Sequence, residues 1–325
     1  MTIQDQVTEP SPFHPGEQAV QAKAGVRERS EMLGRRMIRP FMPDQHRTFF
    51  AALPMIFAGH VDQGGRPWAS VLSGAPGFVA SPDPKTLRIA ARPLAGDPLG
   101  DGPGIGAAMG FVGMELATRR RNRVNGVVTA SDGDGFLVAV SQSFGNCPQY
   151  INARAATFSP RNGAPSPTVA TWLSPADRAL IAQSDAFWVA SHAPGDPAAT
   201  GGVDISHRGG RPGFVKIEAN RLTIPDFAGN NAFNTLGNIH ATGKAGLLFI
   251  DFGAGDILML TGRAELLWNP ADFACVDGAE RAWALDVEEV RRLPAALPLC
   301  FDGEDASPYS ARTGVWVEAI SAKRA

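Results

Sequence analysis

Apolar residues fall along this chain in many short runs, rich in β-branched and aromatic side chains, separated by Gly, Pro and Asn and with few helical stretches between them. The pattern predicts antiparallel strands in a mainly β architecture, a β-barrel with peripheral helices, and not a doubly wound parallel sheet. The glycine-rich GDGPGIGAAMG from Gly100 argues the same way, because it precedes a strand where a dinucleotide fingerprint would open a helix. A polar, proline-containing arm covers residues 1 to about 20. Charges and alanines at helical spacing then predict one helix from Gly16 to about Leu33, with its Arg and Glu residues on a solvated face. Trp68, Trp188, Trp268 and Trp316 lie in or beside predicted strands and read as core.

The runs repeat in order. MPDQHRTFFAALPMIFAGHV from Met42 matches LSPADRALIAQSDAFWVASH from Leu173, with Pro43 over Pro175 and His60 over His192. APGFV ending at Val79 matches RPGFV ending at Val215, TLRI matches RLTI, and Gly126 falls over Gly262. This divides the chain into an N-terminal arm and helix (1–48), a first barrel (49–160) and a second (174–325), joined by the linker SPRNGAPSPT.

Local chemistry concentrates in the second repeat. Arg208 and Arg211 offer forked donors, while Gly209, Gly210 and Gly213 let backbone approach a ligand. Asn230, Asn231, Asn234 and Thr235 cluster uncharged donors where a short helix begins, which suits an anion such as a phosphate. The first repeat has LSGAPG where the second has SHRGGRPG, and it carries Asp97 and Asp101 with Arg92 as the cation in the next segment, so a dianion belongs to the second. In the first repeat, Arg119, Arg121 and Arg123 alternate and would share a strand face, either lining a ligand groove or guarding an edge strand.

Composition narrows the field. A net charge of -2 gives no reason to expect nucleic acid, and no apolar run approaches the ~18 residues of a membrane span. Cys147, Cys275 and Cys300 are too scattered for a disulfide framework or a zinc site, and no signal peptide is visible, so a cytoplasmic location is expected. Cys147 reads as a packing residue. The six histidines show no pair at metal-ligand spacing, so no metal is expected; His207 alone adjoins the anion segment.

Taken together, HRGGRPGFV, PDFAGNNAFNTLGNI, AGLLFIDF, LTGRAEL and SFGNCPQYI resemble the FMN-binding split barrels of the pyridoxamine 5'-phosphate oxidase-related family, over Met42 to about Trp268. The resemblance implies two tandem split β-barrels forming an intrachain pseudo-dimer with one FMN in the groove between them. It implies cofactor contacts from Ser206, His207, Arg208, Arg211, Pro212, Gly213, Asp226, Phe227, Asn230, Asn231, Asn234 and Thr235, with Arg121, Gln149 and Tyr150 reaching in from the first repeat. The oxidase itself has a serine, arginine and lysine run where this chain has Phe233, Asn234 and Thr235, and its closing tryptophan and arginine segment has no match in CFDGEDASPYSARTGVWVEAI. Vitamin B6 oxidation is therefore not implied. The expected function is an FMN-dependent oxidoreductase whose flavin is reduced by NAD(P)H or a small organic substrate, its catalytic residues unassigned because the flavin carries the chemistry. The alternative is a non-catalytic carrier of FMN, or a split barrel that has adopted haem or a deazaflavin. Association of two chains into a homodimer is compatible with either.

Overall fold

The computed structural model describes residues 10–160 and 166–316; the start of the polar arm (1–9), the middle of the linker (161–165) and the carboxy-terminal 317–325 lie outside these. In chain order the elements are α1 (Pro15–Lys23), α2 (Arg27–Met37), α3 (Asp44–Ala51), β1 (Met55–Val61), β2 (Pro67–Ser73), β3 (Val79–Asp83), β4 (Thr86–Ile89), β5 (Ala108–Glu115), β6 (Arg120–Asp132), β7 (Gly135–Gly145), β8 (Ala153–Phe158) and β9 (Thr168–Ala170). There follow α4 (Pro175–Gln183), β10 (Ala186–Ala193), β11 (Gly202–Gly209), β12 (Lys216–Glu218), β13 (Arg221–Phe227), α5 (Asn234–Thr242), β14 (Lys244–Ile250), β15 (Ile257–Leu267), β16 (Ala279–Leu293) and β17 (Leu299–Asp305). The architecture is mainly β, as the short apolar runs predict.

Two antiparallel sheets dominate, with strand orders β2-β1-β5-β6-β7-β4-β3 and β11-β10-β14-β15-β16-β13-β12. Strand for strand the orders are the same. Both carry a bulge at a glycine, Gly126 in β6 and Gly262 in β15, and counting from these bulges sets Gly110 against Gly246 and Gly59 against Ala190. His60 therefore corresponds to Ser191, one residue off its sequence match with His192, because strand pairing and not residue identity fixes register. The boundary between halves is also less clean than the repeats suggest, since β8 pairs with β17 and β9 pairs with β16.

The sheets meet through reciprocal contacts. Phe57 and Trp188 stack with centroids 3.8 Å apart in a buried cluster with Trp68, Val112, Ile205 and Met259. Gly110 lies against the Val203 carbonyl and Gly246 against that of Pro67, so neither position has room for a Cβ. Each aromatic buried here contributes about 1.5–3 kcal/mol relative to exposure.

The N-terminal stretch is two helices and not one, broken at Gly25, whose φ of 72° a helix does not tolerate. Its acidic residues are not all solvated either: Glu17 is 3% exposed, because α1 docks on α5.

Candidate functional site

A groove opens between the edge strand β11 and the first turn of α5 on one side and β6 with the segment after β7 on the other. Alternation along β11 puts Ser206 and Arg208 on one face, and along β6 it puts Arg121, Arg123 and Asn125 on one face. These β6 side chains run along β11. Arg121 Nη1 donates to the His207 carbonyl (3.3 Å), Arg123 Nε to that of Ile205 (2.8 Å), and Asn125 Nδ2 to Asp204 Oδ1 (3.0 Å). They satisfy an edge strand's open carbonyls while turning two guanidiniums into the groove. Arg119 does not join them. It caps a short turn at φ 58°, ahead of the first β6 residue, and binds Ile151 O and Asp305.

The cationic set is larger than expected from the repeat segment. Arg208 Nη1 and Arg281 Nη1 hold the two oxygens of Asp226 at 2.5 and 2.8 Å, because Arg281 lies directly across from Asp226 in the β13–β16 pairing. Four guanidiniums, of Arg121, Arg123, Arg208 and Arg281, thus line the groove with Asp226, while Asp204 pairs with Arg123 (3.3 Å) and Glu280 with Arg281 (2.6 Å) from outside its lining. Among the described residues, the buried Nε groups of Arg208 and Arg281 have no hydrogen-bond partner. Leaving a buried donor unmade costs about 1–3 kcal/mol, so both call for an acceptor.

The N-terminus of α5 faces the same space. Phe233, in a left-handed conformation at φ 61°, leaves the helix start without a side-chain cap, and Asn234 and Thr235 line the groove there. Thr235 Oγ1 donates to Ser206 Oγ (2.9 Å), which Arg123 Nη2 also reaches. Burial, with Arg123 and Arg208 nearby, lowers Arg121 to about 10. Burial, then Arg121, Arg208 and Arg154, pushes His207 well below its ordinary value, so its ring is neutral. Its Nδ1 lies 3.3 Å from Arg121 Nη1 and therefore accepts, while the ring meets Trp188 edge-on.

Of the residues expected at the cofactor, Ser206, His207, Arg208, Asp226, Phe227, Asn230, Asn231, Asn234, Thr235, Arg121, Gln149 and Tyr150 all line this groove. Arg211, Pro212 and Gly213 do not. Phe214 is buried against Phe187, which pins the turn inward at that residue and leaves Arg211 and Pro212 exposed to solvent. Arg123, Arg281, Asn146, Cys147 and Phe233 line it as well, beyond the contacts that the resemblance implies. Arg123 was visible in the arginine alternation; Arg281 had only the faint signal of a cation within the apolar run AERAWAL.

The corresponding place on the other sheet is apolar. By register, Val71 and Leu72 stand where His207 and Arg208 stand, and Ile257 and Met259 where Arg121 and Arg123 stand. All four are at most 1% exposed. Of the two equivalent places, each built from both sheets, one is filled with hydrocarbon and the other lined with charge.

Among the described residues no cluster of three or more His, Cys, Asp or Glu could hold a metal ion, and no helix is long and apolar enough to cross a membrane. No curated protein matches the chain. Among solved structures it is similar to a HupZ variant from Group A Streptococcus (15% identity, 37% of this chain and 99% of that one, TM-score 0.30). A second HupZ structure gives 14% identity, 33% and 84% coverage and a TM-score of 0.26. The Bacillus subtilis inhibitor of motility MotI/DgrA gives 8% identity, 83% and 96% coverage and 0.20. At these scores the likenesses bear on neither ligand nor activity. The family model described as "Pyridoxamine 5'-phosphate oxidase" matches residues 173–298, which hold β11, β13, α5 and Arg281. That segment, less than half of the chain, is what is similar to the pyridoxamine 5'-phosphate oxidase-related family.

Proposed function

We propose that the groove binds FMN and that the chain is an FMN-dependent oxidoreductase, its flavin reduced by NAD(P)H or a small organic substrate. The observation that supports this most is the pair of buried guanidinium N–H groups, of Arg208 and Arg281, without an acceptor beside an uncapped helix start, where four guanidiniums stand against the three carboxylates of Asp204, Asp226 and Glu280. An FMN phosphate carries about 1.5–2 negative charges and three acceptor oxygens, which matches that donor set. Arg208, Arg281, Ser206, Thr235 and the first N–H groups of α5 would hold the phosphate; Arg121 and the neutral His207 border the remaining groove. When bound, the flavin supplies the electron-transfer chemistry, so the protein's part is to bind, orient and exclude water.

On this reading the halves at 49–160 and 174–325 are duplicated split barrels acting as an intrachain pseudo-dimer. The apolar counterpart made by Val71, Leu72, Ile257 and Met259 supports one flavin per chain. Three free thiols, two of them exposed, suit a reducing cytoplasm. Haem is less well served. His207 is the groove histidine on which ligation would rest, yet its Nδ1 is taken by Arg121 and two further arginines lie close enough to disfavour an iron cation.

Purified protein is expected to be yellow, or to quench FMN fluorescence on titration, and NADH or NADPH is expected to bleach the bound flavin in stopped flow. Binding without reduction by either nucleotide would favour the carrier role; a colourless protein that leaves FMN fluorescence unchanged would sink the proposal.

A further inference from the structure

Helix α1 lies outside the segment that matches the family and does not line the groove, yet it touches a residue that does. It crosses α5 where Gly16 meets Gly237 without intervening side chains; a Cβ on Gly237 would stand 2.5 Å from Glu17 Cα. That closeness delivers Glu17, at the third position of α1, beneath the first turn of α5. Glu17 Oε2 accepts from the His14 N–H (2.8 Å) in a capping box, and Oε1 accepts from Asn234 Nδ2. Asn234 Oδ1 in turn accepts from Arg123 Nη1 (2.8 Å). One buried carboxyl is therefore tied directly or at one remove to two side chains that line the groove.

We infer that Glu17 gates the anion site by its protonation state: neutral, it supports Asn234 and Arg123 in receiving a phosphate-bearing ligand, and ionised, it competes with that ligand for them. This rests on the groove taking such a ligand. The groups facing Glu17 are His14 at the cap of its own helix, with Nε2 3.6 Å from Oε2, Asn234 on α5, Asp204 on β11 and Arg123 on β6; Asn238 and His240 on α5 act on His14. Asp204 already occupies Arg123 at 3.3 Å, so the guanidinium is not left to neutralise Glu17 alone. Burial, then the Asp204 charge, raises the Glu17 carboxyl to about 8, whereas burial lowers His14. Burial and Asp204 thus favour the uncharged carboxyl near neutral pH, against the two N–H donors and Arg123, which favour the ionised form. Above pH 8 a negative charge appears at the helix start where the dipole favours the ligand's own.

The sign follows by linkage: an anion bound above Glu17 raises its pKa further, so binding takes up a proton and weakens as pH rises. A further rise of one unit gives an affinity about fivefold lower at pH 9 than at pH 7. That window lies above the ligand phosphate's own titration near pH ~6. The test is FMN titration by fluorescence quenching from pH 7 to 9, below the range in which Arg121 loses its charge, with calorimetry at pH 8 in buffers of different ionisation enthalpy, in a Cys147→Ser background so that no thiol lines the groove. Glu17 intact is expected to show the fall and fractional proton uptake; Glu17→Gln is expected to show neither. A flat profile with Glu17 intact, or an undiminished fall in Glu17→Gln, overturns the inference while leaving FMN binding in place. Protein that binds no FMN at any pH overturns both readings. If Glu17→Gln does not fold, absence of proton uptake with Glu17 intact is sufficient refutation.

Discussion

Truncating Arg281 to Ala separates the groove seen in the structure from the one suggested by the repeat segment. Arg281 is 8% exposed, bonds Asp226 Oδ2 at 2.8 Å, lies 4.8 Å from the Phe233 ring centroid, and keeps a buried Nε without a partner among the described residues. Its loss leaves Arg121, Arg123 and Arg208 at the groove and frees the half-exposed Glu280 that it also holds. Asp226 stays paired, since Arg208 holds its other oxygen, so the fold is not left with a bare buried charge. Removing one charge-assisted bond to a phosphate costs about 1.5–3 kcal/mol, or roughly 10- to 150-fold in affinity. Arg211→Ala removes the same charge from an exposed turn outside the groove, where salt at ~0.15 M screens it, and is expected to change affinity by less than about threefold. Both are read by FMN fluorescence quenching at physiological ionic strength, with a thermal melt of each variant as the check on folding. Arg281→Ala within threefold of the unaltered protein, or Arg211→Ala the more damaging of the two, would refute the assignment.

Two further expectations concern the scaffold. Gly246→Ala drives a methyl into the Pro67 carbonyl where the sheets meet, and Gly110→Ala does the same at Val203; because the obstruction is backbone, each should cost about 1–3 kcal/mol in urea unfolding, and a change within 0.5 kcal/mol would show the sheets do not meet there. Asp97 is buried, accepts from Ser70 Oγ (2.7 Å) and Leu99 N (2.8 Å), and burial raises it to about 6. A raised folded-state pKa gives stability that is full below about pH 4 and is lost as pH rises through about 6. Asp97→Asn keeps both acceptor contacts without the charge, so its unfolding free energy should match the unaltered protein's at about pH 3.5 and exceed it by about 1–3 kcal/mol at pH 8. A variant less stable than the parent at pH 8 would mean that the nearby Arg291 outweighs desolvation.

What the sequence discloses about the site depends on how each residue reaches it. Ser206, Arg208, Asp226 and Asn230 to Thr235 lie in one continuous stretch of sequence from β11 to the start of α5, so their clustering is visible as a motif before any folding is considered. Arg121 and Arg123 are visible as an alternation, but only strand pairing shows that the edge they guard belongs to the opposite sheet. Arg281 and Glu17 are 55 and 217 positions from the partners that give them a role, and the long-range contacts responsible are a β13–β16 register and a helix crossing at two glycines. Neither leaves a local pattern: a cation inside AERAWAL and a glutamate in a polar helix look like ordinary solvated residues. Arg211 shows the reverse error. Its glycine-rich setting resembles a ligand loop, yet Phe214, 1% exposed, anchors the turn in the core and thereby turns Arg211 outward. Composition of a loop thus says which groups are available, while the nearest buried aromatic decides which way they face. The same logic explains why the apolar groove on the first sheet could be inferred from missing arginines but not its filling, since Ile257 and Met259 come from the other half of the chain.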